Sequence, residues 1–502
     1  KSAVTPLVML YFASNPTSGA AGGGGSAGGA GGTPATPQDS GGAAPPPATP
    51  ASPPAGGVSE AGGRDADLKL FVDAKGNLAP ASQNIVAEAL ARAQDATDVF
   101  LVSHGWWNDP RTADCFYRRM IAGIVARRPD YLTPDRFRPV FIGVYWPSAL
   151  FPVEAGDCAE SGRAERSRLE SAAPATAGDA IRSWAAAAFP EAADRPEFTR
   201  EAERVAALLE KERNAVLTAV EAEELVRLLQ QWRLLSDVDP DPGAEGPEAE
   251  RFQGDAGAIV RDWQDRPAAS ADVVPEASTP GTWLNMANAF TFWTMKKRAG
   301  VVGSRAVYDV LRALQPLRAR GVRIHLVGHS FGGKLLAAAL TGHGRGAPNR
   351  ADSGVILQGA FSQFAFATAQ EIQRLGVATE DPGKYVDIVS SRLVAGSLAV
   401  TFSALDYPNR FVYPAGVALV GDVLERAAAP RYGSLGANGI RGPSAAVLAL
   451  GQERLRDKFG IESPALVSVD ASDVILGHSD LIKEAVFDLI WDVVESAPGA
   501  GG

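Results

Sequence analysis

An α/β architecture, with a mostly parallel central sheet flanked by helices and carrying a helical insertion, is what this sequence predicts. Three observations predict it. Short apolar runs alternate along the chain with stretches whose apolar residues recur at helical spacing, as strands and helices do in α/β proteins. Runs such as Val99-Phe100-Leu101-Val102 and Val140-Phe141-Ile142 are continuous rather than alternating, which marks strands buried on both faces. Finally, the stretch from Val322 to Leu340 reads strand, sharp turn, helix: Ile324, Leu326 and Val327, then Gly328-His329-Ser330-Phe331-Gly332, then Lys334 to Leu340.

The bulk properties narrow the class. With 502 residues there is room for two to four domains, and 46% hydrophobic content supports a sizeable core. A net charge of −10 argues against a nucleic-acid partner. Two cysteines, Cys115 and Cys158, are too few for a disulfide-dense scaffold or a cysteine-based zinc site. They leave one bridge or two free thiols open. The five histidines show no ligand spacing, so no metal and no cofactor are expected. No run reaches the ~18 apolar residues of a membrane span.

Taken in order, residues 1–66 hold an apolar run, Leu7 to Phe12, and then a Gly-, Ala- and Pro-rich segment. The run reads as a leading strand, which goes with a cytoplasmic protein. A truncated signal peptide is the alternative and would make the protein secreted or periplasmic. The segment after it cannot bury enough surface to offset its ordering entropy and reads as a flexible linker. Residues 67–149 form the first part of the core. A strand through Leu68, Leu70 and Val72 ends in the turn Asp73 to Asn77, and a helix covers Ser82 to Ala93. A buried strand then runs from Asp98 into His104-Gly105-Trp106-Trp107. A helix carries Phe116, Met120, Ile121 and Ile124, and Pro139 to Pro147 is the next strand.

Strand patterns then stop over residues 150–283. Asp194-x-x-Glu197 and Thr218-x-x-Glu221 spell capping boxes, and Leu225, Leu228, Leu229, Trp232 and Leu235 fall on one helical face. This interval is expected to be a helical cap inserted into the sheet domain. Residues 284–495 resume the core with a helix from Ser304 to Arg320, stopped by Gly321. Strands at Ser353–Phe361, Leu398–Ser403 and Ala465–Val469 follow, and a closing helix places Ile482, Ala485, Val486, Leu489, Ile490 and Val493 inward.

Chemistry concentrates at Ser330. A serine on a strained strand-to-helix turn needs neighbours without Cβ two positions either side, and Gly328 and Gly332 supply them. The same residues spell the start of a phosphate-binding loop, Gly328 to Lys334, but Leu335 stands where that loop needs Ser or Thr for magnesium. A serine nucleophile needs a base and the base an orienting acid, which in sheet hydrolases follow in the order Ser, acid, His. His343 lies too close after the elbow helix, whereas His478 follows the last strand and is the expected base. Asp406, just past the strand ending near Ser403, is the expected acid, with Asp387 and Asp470 as fallbacks. The oxyanion donors would be the backbone N–H groups of Phe331 and Trp106. His104 reads as structural, pinning its loop by a hydrogen bond, and His325 and His329 also read as structural. Trp106, Trp107, Tyr145, Trp146, Phe361 and Phe364 cluster at strand ends, where they would either line an apolar acyl pocket or pack the core.

Together, Ser330 in Gly-His-Ser-Phe-Gly, His104-Gly105 after an early strand, Asp406 and His478 resemble the α/β-hydrolase superfamily over roughly residues 67–149 and 284–495. The resemblance implies ester, thioester or amide hydrolysis through an acyl-enzyme on a small-molecule acyl substrate, and it places a cap where residues 150–283 sit. A carboxylesterase or lipase-like hydrolase is thus the leading expectation. An acyltransferase on the same scaffold, and a catalytically silent binding protein, are the alternatives.

Overall fold

The computed structural model describes residues 66–106, 108, 110–133, 136–148, 193, 195–212, 217–236, 256–257, 260, 294–406, 409–410, 433–460 and 464–497. The apolar run Leu7 to Phe12, the Gly-rich segment, Trp107, Asp194, Cys158 and much of 150–283 lie outside the described residues. Among those described, one sheet holds eight strands: β1 (Leu68–Phe71), β2 (Asp98–Ser103), β3 (Pro139–Tyr145), β4 (Arg323–His329), β5 (Ser353–Leu357), β6 (Leu398–Phe402), β7 (Ala446–Ala449) and β8 (Leu466–Asp470). Their spatial order is β1-β3-β2-β4-β5-β6-β8-β7, and all the pairings are parallel. The protein therefore has an α/β fold with a parallel sheet. The longer helices are α1 (Ile85–Arg92), α2 (Pro110–Ala126), α3 (Phe198–Glu212), α4 (Ala219–Ser236), α5 (Tyr308–Arg318), α6 (Phe331–Thr341) and α7 (Glu484–Glu495).

Continuous apolar runs give two-sided burial because successive side chains leave a strand on opposite faces. On β2, Val99 and Leu101 enter one core with α1, α5 and α6. Phe100 and Val102 enter the opposite core, with Tyr117, Met120, Ile121 and Ile124 of α2 and Val486, Phe487, Ile490 and Trp491 of α7. Each such side chain contributes about 1.5–3 kcal/mol on full burial, so both helix layers are held by the same strands. The indole of Trp491 also donates to the Ile124 carbonyl at 2.8 Å, joining α7 to α2.

Three details differ from, or refine, the sequence reading. The helix read as starting at Ser304 is already helical at residue 294 and passes through a π-turn, Gly303–Val307, before α5. Gly300 and Gly303 look like breakers, but a Cβ on Gly303 would lie 2.1 Å from the Leu335 carbonyl oxygen. That glycine is therefore where this helix crosses α6. Strand β7 escaped the sequence reading. It is a four-residue edge strand of Ala, Val and Leu with one partner, and its Val447 is 60% exposed. Of the predicted capping boxes, the one at Thr218 is present, with Thr218 N–H to Glu221 Oε2 at 3.0 Å and Glu221 N–H to Thr218 Oγ at 3.3 Å. It starts α4, whose buried Leu225, Leu229 and Trp232 belong to the same apolar cluster as Phe331 and Met295, with Leu228 packed against it. The Leu235 side chain lies outside the described set.

The strand order creates one functional opportunity. From β2 the chain steps to β3 on one side, and from β4 it steps to β5 on the other. Since β2 and β4 are neighbours, the sheet has its topological switch between them, and ligands of open parallel sheets bind outside the C-terminal ends of the strands at such a point.

Candidate functional site

Two segments lie at those C-terminal ends: His104 to Trp106 with Asn108 after β2, and the turn at Ser330 between β4 and α6. Ser330 has φ 55° and ψ −123°, a conformation an L-residue rarely adopts, costing about 1–3 kcal/mol. Ser330 N–H donates to the Leu357 carbonyl at 2.9 Å, and Gly333 N–H donates to the Ser330 carbonyl at 3.1 Å. The glycines on either side are required by contact. A Cβ on Gly332 would sit 2.4 Å from the Ser103 carbonyl oxygen, and one on Gly328 would sit 2.7 Å from the Gly333 backbone nitrogen. The turn can be this tight only because α6 lies directly against the ends of β2 and β4.

The turn brings Ser330, His478 and Asp406 into one hydrogen-bonded chain. Ser330 Oγ lies 2.9 Å from His478 Nε2, and His478 Nδ1 lies 3.0 and 2.9 Å from the two Asp406 oxygens. The tautomer that serves both contacts has its proton on Nδ1 and accepts from the serine at Nε2. Asp406 is fully buried, whereas the His478 side chain keeps 19% exposure.

Among the described residues, two more donors reach the Asp406 carboxylate, and both come from Asn409. Asn409 N–H donates to Oδ1 at 3.0 Å and its Nδ2 donates to Oδ2 at 2.8 Å. The same Nδ2 donates to the Gln358 carbonyl at 2.8 Å, on a buried residue that is itself held at φ 50°. The His478 loop is anchored from two sides. Ser403 Oγ donates to the Ile475 carbonyl at 2.7 Å, and His329 Nε2 donates to the His478 carbonyl at 3.0 Å. Burial, with the His478 and His104 imidazoles nearby, holds His329 well below the usual imidazole range, so it stays neutral and can donate from Nε2. No motif in the sequence marks Asn409, although its position three residues after Asp406 carries the spacing of a side-chain-capped turn.

The remaining candidates fall into three groups. Asp470 Oδ1 accepts from Ser472 N–H and Oγ–H, and Asp387 lies in the short helix Val386–Ser390. His343, at φ 42°, lies tilted beside the Tyr385 ring at 5.4 Å. Among the aromatics, Tyr145 is buried on the α2 face beside Tyr117, and Trp146 stacks on His104 at 5.7 Å. Phe361 is fully buried against Tyr385, and Phe364 packs with Ala367, Ile372 and Val377. Trp106 alone of these five is only partly buried, with its ring 6.1 Å from Phe331.

A second Ser-His-Asp chain exists. Ser353 Oγ lies 2.7 Å from His325 Nδ1, and His325 Nε2 lies 2.9 Å from Asp98 Oδ1. It sits at the opposite, N-terminal end of β2, β4 and β5, and all three residues are at most 2% exposed. Burial alone would push Asp98 up, but His325 and Arg323 outweigh it and hold the carboxyl below its usual range. Burial keeps His325 below the usual imidazole range. This chain closes the bottom of the sheet and no substrate can reach it.

Cys115 on α2 is disulfide-bonded, and Cys158 is the one other cysteine in the sequence. Among the described residues, no three His, Cys, Asp or Glu side chains are grouped to hold a metal ion, and no helix is long and apolar enough to cross a membrane. Compared with protein-family models, curated proteins and solved structures, the chain matches none.

Proposed function

We propose that this protein is a serine hydrolase of the α/β-hydrolase type that cleaves carboxylic esters through an acyl-enzyme. The observation that carries the reading is the Ser330–His478–Asp406 chain at the topological switch of a parallel sheet, with Ser330 on a strained turn. In this reading Ser330 Oγ attacks the ester carbonyl and its proton passes to His478 Nε2. The imidazolium that forms faces the Asp406 carboxylate. The tetrahedral oxygen takes hydrogen bonds from Phe331 N–H, at the N-terminus of α6, and from Trp106 N–H. Collapse expels the alcohol, which takes the proton from Nε2. Water activated by His478 then attacks the acyl-enzyme, and Ser330 recovers its proton.

The partly buried Trp106 ring beside Phe331 would contact the acyl group. In this reading the described helices of 150–283, α3 and α4, which belong to the same apolar cluster as Phe331, form part of a cap. The disulfide at Cys115 favours an oxidising compartment over the cytoplasm.

The test is labelling with a fluorophosphonate together with hydrolysis of p-nitrophenyl esters from acetate to laurate. The expected result is a single label on Ser330 and turnover that Ser330→Ala abolishes while its melting temperature stays near that of the parent. An unlabelled parent protein, or a Ser330→Ala variant that keeps its turnover, overturns the proposal.

A further inference from the structure

From the loop after β2 we infer that Asn108 is a positioning residue: its side-chain amide aims the Trp106 N–H at the oxyanion. The inference rests on the hydrolase reading above and adds to it a residue that motif and chain order do not reveal.

Asn108 Nδ2 donates to two successive backbone carbonyls, Gly105 and Trp106, each at 3.1 Å. The Gly105 carbonyl also accepts from His104 Nδ1 at 2.9 Å. The His104 carbonyl accepts from the Trp146 indole at 3.1 Å. Three consecutive carbonyls are thus turned toward fixed donors. In a planar trans peptide the C=O of one residue and the N–H of the next point in opposite directions. Holding the Gly105 carbonyl therefore sets the direction of the Trp106 N–H.

That peptide lies against the nucleophile. A Cβ on Gly105 would fall 2.7 Å from Ser330 Cβ and 2.9 Å from His329 Nδ1. The clamp is itself held. Asn108 N–H donates to Ser148 Oγ at 3.1 Å, and Ser148 Oγ–H donates back to the Asn108 carbonyl at 2.9 Å. Ser148 is fully buried just past β3, so the clamp ties the loop after β2 to the exit of the neighbouring strand. An oxyanion donor is effective only when it is oriented before charge develops. Asn108 supplies that orientation without touching substrate.

The experiment uses Asn108→Ala and Asn108→Asp, with Ser148→Ala as a milder release of the same clamp. Steady-state hydrolysis of a p-nitrophenyl ester is compared with inhibition by an aryl trifluoromethyl ketone. Ser330 Oγ adds to the carbonyl carbon of that ketone, the serine proton passes to His478, and the ketone oxygen becomes the anion in the oxyanion site. The expected result is a kcat lowered about 10²-fold with KM changed less than about threefold. The inhibition constant of the ketone should rise by a similar factor. Ser148→Ala should move both in the same direction by less. A purely structural Asn108 would lower the melting temperature without coupling kcat to ketone affinity. If folded variants keep kcat and the ketone constant within about threefold of the parent, less than 1 kcal/mol of transition-state binding, the role of Asn108 is wrong. Should the parent itself show no Ser330-dependent turnover, the hydrolase reading falls, and this inference falls with it.

Discussion

Replacing Asn409 by alanine measures how Asp406 is held. The Asn409 amide makes two buried hydrogen bonds, one to the Asp406 carboxylate and one to the Gln358 carbonyl, each at 2.8 Å. A bond to a charged group contributes about 1.5–3 kcal/mol and a neutral one about 0.5–1.5 kcal/mol. Asn409→Ala should therefore destabilise the fold by about 2–4 kcal/mol in urea unfolding. The backbone N–H of residue 409 still reaches Asp406 Oδ1 at 3.0 Å, so the carboxylate is loosened rather than released. If half the lost energy reappears in the transition state, kcat falls about 5–30-fold, and KM should change little because no substrate contact is removed. Urea titration paired with ester kinetics on the same preparation is the assay. Two results would refute the reasoning: a stability within about 0.5 kcal/mol of the parent, or a large stability loss with kcat unchanged.

The remaining predictions are of three kinds. Asp406→Asn should lower kcat by about 10⁴-fold, and adding it to Ser330→Ala should cost nothing further; a near-silent Asp406→Asn would remove Asp406 from the mechanism. Burial, with Lys384 and Lys334 nearby, pushes His343 down from 6.5 to about 3, and His329 is also pushed well down. The unfolded chain takes up protons at these histidines below pH about 6.5 while the folded form refuses them. Stability is thus complete above that pH and is lost as pH falls toward the folded values, at about 1.4 kcal/mol per pH unit for each histidine. His343→Asn, which tolerates φ 42°, should flatten the slope of unfolding free energy against pH by that amount, and an unchanged slope would sink the argument. Replacing residues 150–283 with a short linker should change acyl chain-length selectivity while acetate esters are still cleaved; unchanged KM across the ester series would mean the segment is no cap.

Much of the architecture was legible without coordinates, because burial leaves a local trace. Val99 to Val102 and Val140 to Val144 are continuous apolar runs because both faces of a parallel sheet are covered. The turn at Ser330 announces itself because two backbones approach where a Cβ at 328 or 332 would collide. The placing of Ser330, Asp406 and His478 each just after a separate strand carried enough order to nominate three residues that the fold brings within hydrogen-bonding distance.

What the tertiary structure alone decided is which neighbour each element finds. An apolar pattern records that a residue is buried and not what buries it. Nothing in the sequence says that β3 lies between β1 and β2, which puts the switch point between β2 and β4. Tyr145 and Trp146 are adjacent and equally aromatic, yet the pleat sends one to the α2 face and stacks the other on His104. Asn108 and Asn409 act on backbone carbonyls and on a carboxylate brought close by folding. A carbonyl has no side-chain signature, so such clamps become visible only once the chain has closed around them.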